Sequence, residues 1–290
     1  MSTIQKYNTA AGLRMALEDR LKQIALVENI DIMRLRKQVA FDRFLARLFS
    51  ATDKDIFVLK GGYSLELLLR RARTTKDIDL AINDKTTLTE FTEESIRVLI
   101  QKHSEIDLGD FIEYSIGTAI LDLENAPYGG YRFPVDCHMA GRRFTRFNID
   151  VAAGDAWIKP HQTIELHHWL DFAGISSLAI LAISPEQQFA EKYHSYSLPR
   201  QTINSRAKDL VDMVLLIENS KMNSILLRDA VNKTFQRRKT HDRPSELEDP
   251  PKSWAIQFAR MTAECGIASD LEKAIDKVRK FCVVHSIFTL

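Results

Sequence analysis

The chain has 290 residues, of which 45% are hydrophobic and 27% are charged, and this is enough apolar material for a substantial core in one or two domains. Its formal net charge is +1, which excludes a polyanion-binding surface spread over the whole chain, so any nucleic-acid contact must be local. No apolar run approaches a membrane span, there is no signal-peptide pattern, and the three widely spaced cysteines indicate reduced thiols, so we expect a cytoplasmic protein without a membrane partner.

Apolar residues recur at helical spacing near the N-terminus, which predicts two helices between residues 10 and 50. The first series is Leu13, Leu17, Leu21 and Ile24, and the second is Leu35, Val39, Leu45 and Leu48. Neither helix carries a motif for catalysis or binding that we can match. We therefore expect residues 1–54 to form N-terminal helices that pack on a larger core.

A glycine pair and an aspartate pair follow in close succession. Gly61-Gly62 ends a short apolar run and precedes a helix-like segment, so backbone N–H groups at the helix start could bind a phosphate there. Asp77 and Asp79 lie on the next apolar run, where alternation along a strand directs both to one face and Ile78 to the other. A bound divalent cation is the simplest way to relieve the repulsion between the two carboxylates. The joint pattern predicts a nucleotide–metal site.

The order of a glycine pair, a helix and Asp77-Ile78-Asp79 resembles the signature of the polymerase-β-like nucleotidyltransferases. A fuller set resembles the AbiEii-type toxins of bacterial type IV toxin–antitoxin pairs: Lys60, Gly61, Gly62, Arg73, Thr75, Lys76, Asp77 and Asp79. The resemblance implies an α+β fold with a mixed sheet, nucleotide binding by the first six of these residues, and catalytic, metal-binding roles for the two aspartates. The glycine spacing of a P-loop or a dinucleotide site is missing, as are the protein-kinase motifs.

The core is expected to span residues 55–184, with strands at residues 57–59, 77–82, 111–122, 131–139 and 144–152. The last of these predicted strands carries Asp150 on the same face as Asn148. In the superfamily, a third acidic residue on a neighbouring strand completes the metal site. Asp150 is its best match, and Asp136 is a weaker rival. The resemblance implies two Mg²⁺ ions, or Mn²⁺, held by Asp77, Asp79 and Asp150.

A helical domain is expected over residues 185–290, with helices near residues 185–196, 205–219, 224–238, 252–265 and 270–285. Ser184 and Pro185 are typical of a helix start. Gln188 and Lys192, four residues apart, share a helix face, and Asp209 lies on the next helix. AbiEii-type toxins carry Gln-x-x-x-Lys and Asp-x-x-Asp motifs in this order. The resemblance implies that Gln188 binds the nucleotide, that Lys192 neutralises triphosphate charge, and that Asp209 orients Lys192 or a substrate group.

Basic residues gather in three clusters that could bind a triphosphate or an RNA backbone. They are Arg70, Arg71, Arg73 and Lys76; Arg142, Arg143 and Arg146; and Lys233, Arg237, Arg238, Lys239 and Arg243. If the two carboxylate-bearing strands are neighbours, we expect the first two clusters to flank one cleft. Residues 240–251 are predicted to form an exposed loop.

The resemblance implies a toxin that transfers a nucleoside monophosphate from an NTP to RNA at the tRNA 3′ end and so blocks translation, with a co-encoded antitoxin as partner. Two alternatives stay open. One is an adenylyltransferase acting on a small molecule such as an aminoglycoside, which would share the first motif. The other is a non-catalytic nucleotide- or RNA-binding protein, which would not require all three acids.

Overall fold

A computed structural model describes residues 6–50, 56–70, 73–82, 91–123, 129–153 and 159–288. The helices are α1 (Ala10–Glu28), α2 (Ile32–Ser50), α3 (Gly61–Leu69), α4 (Glu93–Ser104), α5 (Pro185–Ser197), α6 (Ala207–Asn219), α7 (Ser224–Arg238), α8 (Ala255–Cys265) and α9 (Leu271–Val284). The strands are β1 (Phe57–Lys60), β2 (Asp77–Ile82), β3 (Ile112–Ile116), β4 (Leu121–Asp122), β5 (Gly130–Met139), β6 (Arg142–Ala153), β7 (Gln162–Glu165) and β8 (Ala179–Ala182).

The strands form one mixed sheet in the order β3-β5-β6-β2-β1-β8-β7, with β4 paired to β5. The pairs β2–β6 and β1–β8 are parallel, and the other pairs are antiparallel. This arrangement confirms the predicted α+β class with a mixed sheet, N-terminal helices and a helical C-terminal half. Among the described residues, no helix has both the length and the apolar character needed to cross a membrane.

The prediction of a single strand over residues 111–122 is wrong, because the chain forms the separate strands β3 and β4 there. The ladder between β3 and β5 ends at the pairing of Ile116 with Val135. Gly117, the residue after β3, packs so closely on Pro134 that a Cβ at Gly117 would lie 2.8 Å from the proline ring. Since proline has no N–H to donate, the ladder cannot continue through Pro134. The short strands β7 and β8 were not predicted either.

Buried side chains form two large clusters. One lies between α1, α2, α4 and the sheet, and includes the fully buried Phe44, Phe133 and Ile149. The other joins α5 to α9 around the fully buried Phe189 and Phe258. Leu65 of α3 also belongs to the second cluster, and the domain boundaries at residues 54 and 184 stay predictions. Residues 240–251 have no regular secondary structure, and Leu247 anchors them in the second core.

Candidate active site

The carboxylates of β2 lie on the open face of the sheet. Ile78 and Leu80 are fully buried, whereas Asp77 and Asp79 are only partly buried, so the alternation expected for a half-covered strand is present. Parallel pairing of β2 with β6 places Asp79 opposite Asp150. Three carboxylates therefore meet on two neighbouring strands. The weaker rival Asp136 lies instead opposite Arg146 on β6, outside this group.

The three carboxylates lie close enough to repel one another. Burial raises the pKa of Asp79 to about 6, and the charges of Asp150 and Asp77 act in the same direction, against Lys192 and Lys60. Asn148, opposite Asp77 in the register, donates a hydrogen bond of 3.3 Å from Nδ2 to Asp77 Oδ1. The site thus concentrates negative charge where a cation would be stabilised.

Arg132 on β5 is a member of this group that the sequence did not reveal. It lies directly opposite Asp150 in the antiparallel β5–β6 pair. Its Nε and Nη2 each donate to one oxygen of the Asp150 carboxylate at 2.7 Å, and Nη2 is 3.8 Å from Asp77 Oδ2. The hydrogen bonds to Asp150 raise the pKa of the Arg132 guanidinium further. Arg132 therefore compensates part of the negative charge of the group.

The glycine pair brings the start of α3 against the aspartates. Gly61 has a φ of +69°, and a Cβ there would lie 2.0 Å from Asp79 Oδ2, so only glycine fits beside that carboxylate. A Cβ on Gly62 would lie 2.9 Å from Thr75 Oγ1. Lys60 precedes the pair on β1, opposite Asp79 in the register, and its Nζ is 3.7 Å from Glu191 Oε2.

The helical half contributes a lysine held by two carboxylates. Lys192 Nζ on α5 is 3.2 Å from Asp209 Oδ1 and 3.0 Å from Asp212 Oδ2, both on α6. Burial lowers the pKa of Lys192, but Asp212 and Asp209 outweigh this effect and raise the pKa above its ordinary value. Lys192 is therefore a permanent cation. The contact with Asp209 is the one expected of an orienting carboxylate.

Asp212 also holds Arg73, which is itself buried. Arg73 donates from Nε and Nη2 to the two oxygens of Asp212, each at 2.9 Å. Burial raises the pKa of Asp212, but Lys192 and Arg73 outweigh it and hold the pKa below its usual range. Gln188, one turn before Lys192, donates a 2.8 Å hydrogen bond to Ser64 Oγ on α3. Asp212 is the second aspartate of the Asp-x-x-Asp motif, and we had not assigned it a role from sequence.

These groups surround an open, polar cleft of about 760 Å³. Nine of the predicted site residues line it: Gly62, Arg73, Thr75, Lys76, Asp77, Asp79, Asp150, Lys192 and Asp209. Lys60, Gly61 and Gln188 are not among its lining residues, although Gly61 packs on Asp79 and Gln188 on α3. The cleft is also lined by residues that carried no recognisable motif: Thr74, Arg132, Ser205, Arg206, Lys208, Gln257, Arg260, Met261 and Glu264.

The expectation that Arg142, Arg143 and Arg146 flank the cleft is wrong. Although β2 and β6 are neighbours, these arginines lie near the other end of β6 from Asp150 and do not line the cleft. Arg143 and Arg146 approach Asp136, at 3.6 and 3.8 Å. In the first basic cluster, only Arg73 and Lys76 line the cleft; Arg70 donates to the backbone of Glu165, and Arg71 lies outside the described residues. The late cluster on and after α7 does not line the cleft either.

A family model described as the nucleotidyl transferase AbiEii toxin of type IV toxin–antitoxin systems matches residues 43–280. The chain belongs to the AbiEii family. It is therefore a nucleotidyltransferase of the toxin class, and the family implies an NTP substrate and a co-encoded antitoxin. A sequence search of curated proteins found no match.

The fold is that of a solved nucleotidyltransferase toxin. The nucleotidyltransferase toxin MenT4 of Mycobacterium tuberculosis H37Rv superposes with a TM-score of 0.58 at 16% identity, over 94% of this AbiEii chain and 90% of the other. JHP933 of Helicobacter pylori gives a TM-score of 0.47 at 14% identity, over 86% and 90% of the two chains. A nucleotidyltransferase structure from H. pylori gives 0.48 at 14% identity, over 86% and 93%.

AbiEii-type nucleotidyltransferases belong to a class that generally uses divalent metals, and the donor set here can be tested against one. Asp77 and Asp79 fit, because both offer carboxylate oxygens on the open face beside the cleft, and because burial, together with the charges of Asp150 and Asp77, raises the pKa of Asp79. Asp150 fits only if it releases Arg132, since both of its oxygens accept from that guanidinium. Accordingly, no three His, Cys, Asp or Glu side chains within the described ranges are arranged as a ready ligand set.

Proposed function

We propose that the protein transfers a nucleoside monophosphate from an NTP to the 3′ end of tRNA in the cytoplasm and so blocks translation. The observation that carries the proposal is the convergence of Asp77 and Asp79 from the sheet with Lys192 from α5 on one cleft. Acids for a metal ion and a permanent cation for a triphosphate are the two requirements of nucleotidyl transfer. Family membership supports the toxin role.

Asp77, Asp79 and, once it has left Arg132, Asp150 would hold Mg²⁺, as two ions, or Mn²⁺. When bound, the metal would neutralise triphosphate charge and favour ionisation of the acceptor hydroxyl. Gly61 and Gly62 let the start of α3 approach Asp79 and Thr75, so the N–H groups at this helix start are within the site. These N–H groups are suited to the phosphates of the NTP.

Some of the remaining proposed nucleotide-binding residues can contact the NTP, and the others support the walls of the cleft. Lys76 and Thr75 line the cleft and can reach a bound NTP. Arg73 and Gln188 are buried and already hold Asp212 and Ser64, and Lys60 lies near Glu191, so these three act mainly by fixing the walls.

Lys192 is the catalytic cation of the proposal. It is fixed by Asp209 and Asp212, so its ammonium is oriented before the substrate arrives. The negative charge that develops on the triphosphate during transfer would be stabilised by Lys192, whose own charge does not depend on pH near neutrality. Asp209 positions Lys192 and would not itself contact the reacting atoms.

An RNA acceptor fits the cleft better than an aminoglycoside does. The cleft lining includes seven basic residues (Arg73, Lys76, Arg132, Lys192, Arg206, Lys208 and Arg260), against the acids Asp77, Asp79, Asp150, Asp209 and Glu264. The exposed basic residues of the lining would attract the phosphates of a polyanion, whereas a polycationic small molecule would find only the central acids to bind. The openness of the cleft to solvent also suits a long acceptor.

The test is to incubate the purified protein with each NTP labelled at the α-phosphate, Mg²⁺, total RNA and, separately, an aminoglycoside. Labelled tRNA is expected, with the label on its 3′-terminal nucleotide. Lys192→Ala should slow the transfer more than Lys192→Arg, although Arg should remain impaired because it does not reproduce the compact ammonium. A labelled aminoglycoside would favour the first alternative, and no label on any acceptor would favour the second.

A further inference from the structure

The cations of the cleft fall into two layers. Arg73, Arg132 and Lys192 are each within hydrogen-bonding distance of a carboxylate, so a phosphate that binds them must compete with Asp212, Asp150 or Asp209. The exposed cleft-lining residues Lys76, Lys208 and Arg260 differ, because within the described part of the chain none of them forms an ion pair. Their charge is available to an incoming anion.

Lys208 and Arg260 come from different helices of the C-terminal half. Lys208 lies in the first turn of α6, next to Asp209, and Arg260 lies near the middle of α8. Gln257 and Glu264 flank Arg260 at separations of three and four residues, so all three share the face of α8 that lines the cleft. The exposed cations Lys208 and Arg260 therefore lie on the sides of α6 and α8 that line the cleft.

This face is fixed relative to the aspartates. Glu264 accepts from both the backbone N–H and the hydroxyl of Thr74, each at 3.2 Å. Thr74 lies three residues before Asp77, so α8 is joined to the segment that leads into β2. The methionine beside Arg260, Met261, is buried and anchors α8 in the core of the helical half. The helix that carries Arg260 is thus fixed relative to the start of β2.

We propose that Lys208 and Arg260 form a docking surface for the phosphate backbone of the acceptor RNA, with its 3′ end directed at Asp77 and Asp79. The proposal rests on the proposed function. The inner cations, which are closest to the carboxylates, are left for the triphosphate. Separate cationic layers allow the NTP and the RNA to bind together, as a transfer reaction between two polyanions requires.

The experiment measures tRNA binding without NTP or metal over a salt series between about 50 and 200 mM, in an Asp79→Asn background that removes turnover. The log of the affinity should fall linearly with the log of the salt concentration, by roughly 0.7 for each phosphate contacted on a single strand. The double variant Lys208→Gln/Arg260→Gln should reduce that slope by about 1.4, because two contacts are lost. Its NTP affinity should stay within about twofold of the parent's, since the triphosphate lies on the inner layer.

The matched control is the triple variant Arg142→Gln/Arg143→Gln/Arg146→Gln. It removes exposed basic residues that do not line the cleft, and its slope should equal that of the parent. If the double variant keeps the parent's slope, or loses NTP affinity instead, the docking surface is wrong. The proposed function is tested apart from this by labelling with the wild type: labelled tRNA together with an unchanged slope refutes only the docking surface, and the absence of labelled RNA refutes the function itself.

Discussion

Asp79 is held in a fixed position and has a raised pKa, as expected of a carboxylate that binds a cation in a cleft. It lies against Gly61 and opposite Asp150 on the neighbouring strand. Burial, together with the charges of Asp150 and Asp77, raises its pKa to about 6. Between the ordinary pKa of about 3.8 and a pKa of about 6, the folded protein binds more protons at Asp79 than the unfolded chain does. Stability is therefore lost as the pH rises through this window, and the penalty is fully present at pH 7.

Asp79→Asn should consequently stabilise the metal-free protein at pH 7.5, by about 1–2 kcal/mol after allowance for solvent screening. The gain should shrink as the pH falls from 6 to 4, because Asp79 of the wild type becomes neutral in that range. Thermal unfolding with a chelator measures this. Added Mg²⁺ should raise the melting temperature of the wild type more than that of the variant. If Mg²⁺ raised the melting temperatures of both proteins equally, Asp79 would not be a metal ligand.

Gly61 and Gly141 form a matched pair for the claim that a glycine is needed beside Asp79. Both have positive φ, +69° and +67°, but a Cβ would meet Asp79 only at Gly61, and would meet nothing within 4 Å at Gly141. Gly141→Ala should destabilise the fold by about 1 kcal/mol through backbone strain, and Gly61→Ala should cost more, because its Cβ would also clash with Asp79. Only Gly61→Ala should also abolish transfer, because it displaces the Asp79 carboxylate. Urea unfolding and the labelling assay together check this, and full activity of Gly61→Ala contradicts it.

At the level of elements, the β5–β6 hairpin determines which residue faces Asp150. Met139 pairs with Arg142 at the turn, and continuing that register would place Tyr131 opposite Asp150. A bulge between Cys137 and His138 shifts the register by one residue and brings Arg132 there instead. Alternation along the sequence predicted the strand and the face that carries Asp150, and the family resemblance implied the role of Asp150. It could not predict the bulge, so the partner of Asp150 was missed.

For helices α5 and α6 too, the sequence predicted the features of each helix but not the contacts between them. Helix spacing predicted that Gln188 and Lys192 share a face, and the Ser184 cap is confirmed, since its side chain accepts from the N–H of Gln187. That Lys192 meets Asp212 as well as Asp209 depends on how the two helices pack, which spacing along one helix does not specify. The same holds for α8, whose contact with the cleft rests on the tertiary arrangement alone.

Asp212 should be the carboxylate whose loss destabilises the helical half most. Asp212→Ala leaves the buried Arg73 without its carboxylate partner and Lys192 with Asp209 alone, so we expect a loss of about 3–5 kcal/mol. Asp209→Ala should cost about 1–2 kcal/mol, because Asp212 still holds Lys192. The control Asp229→Ala breaks only the exposed pair with Lys233 and should change stability by less than about 0.5 kcal/mol. Denaturant unfolding ranks the three, and equal losses for Asp212→Ala and Asp229→Ala would contradict the account.

On the scale of the whole molecule, the cleft joins residues far apart in the chain. The sheet supplies Asp77, Asp79 and Asp150, and the helical half supplies Lys192 and Asp209. Each motif was visible in the sequence, and family membership confirms the class of enzyme. Their convergence on one cleft is a property of the fold, and so is the position of the basic residues. Among the described residues of the three basic clusters predicted from sequence, only Arg73 and Lys76 line the cleft. The other basic residues that line it are Arg132, Lys192, Arg206, Lys208 and Arg260.

We infer that this cleft transfers the α-phosphoryl group of an NTP with its nucleoside and releases pyrophosphate. The most direct measurement compares tRNA incubated with NTP labelled at the α-phosphate and tRNA incubated with NTP labelled at the γ-phosphate, using the wild type and Lys192→Ala with Mg²⁺. We expect tRNA labelled from the α-position only, release of the γ-label as pyrophosphate, and little of either with Lys192→Ala. Label transferred from the γ-position, or equal α-labelling by both proteins, would contradict it.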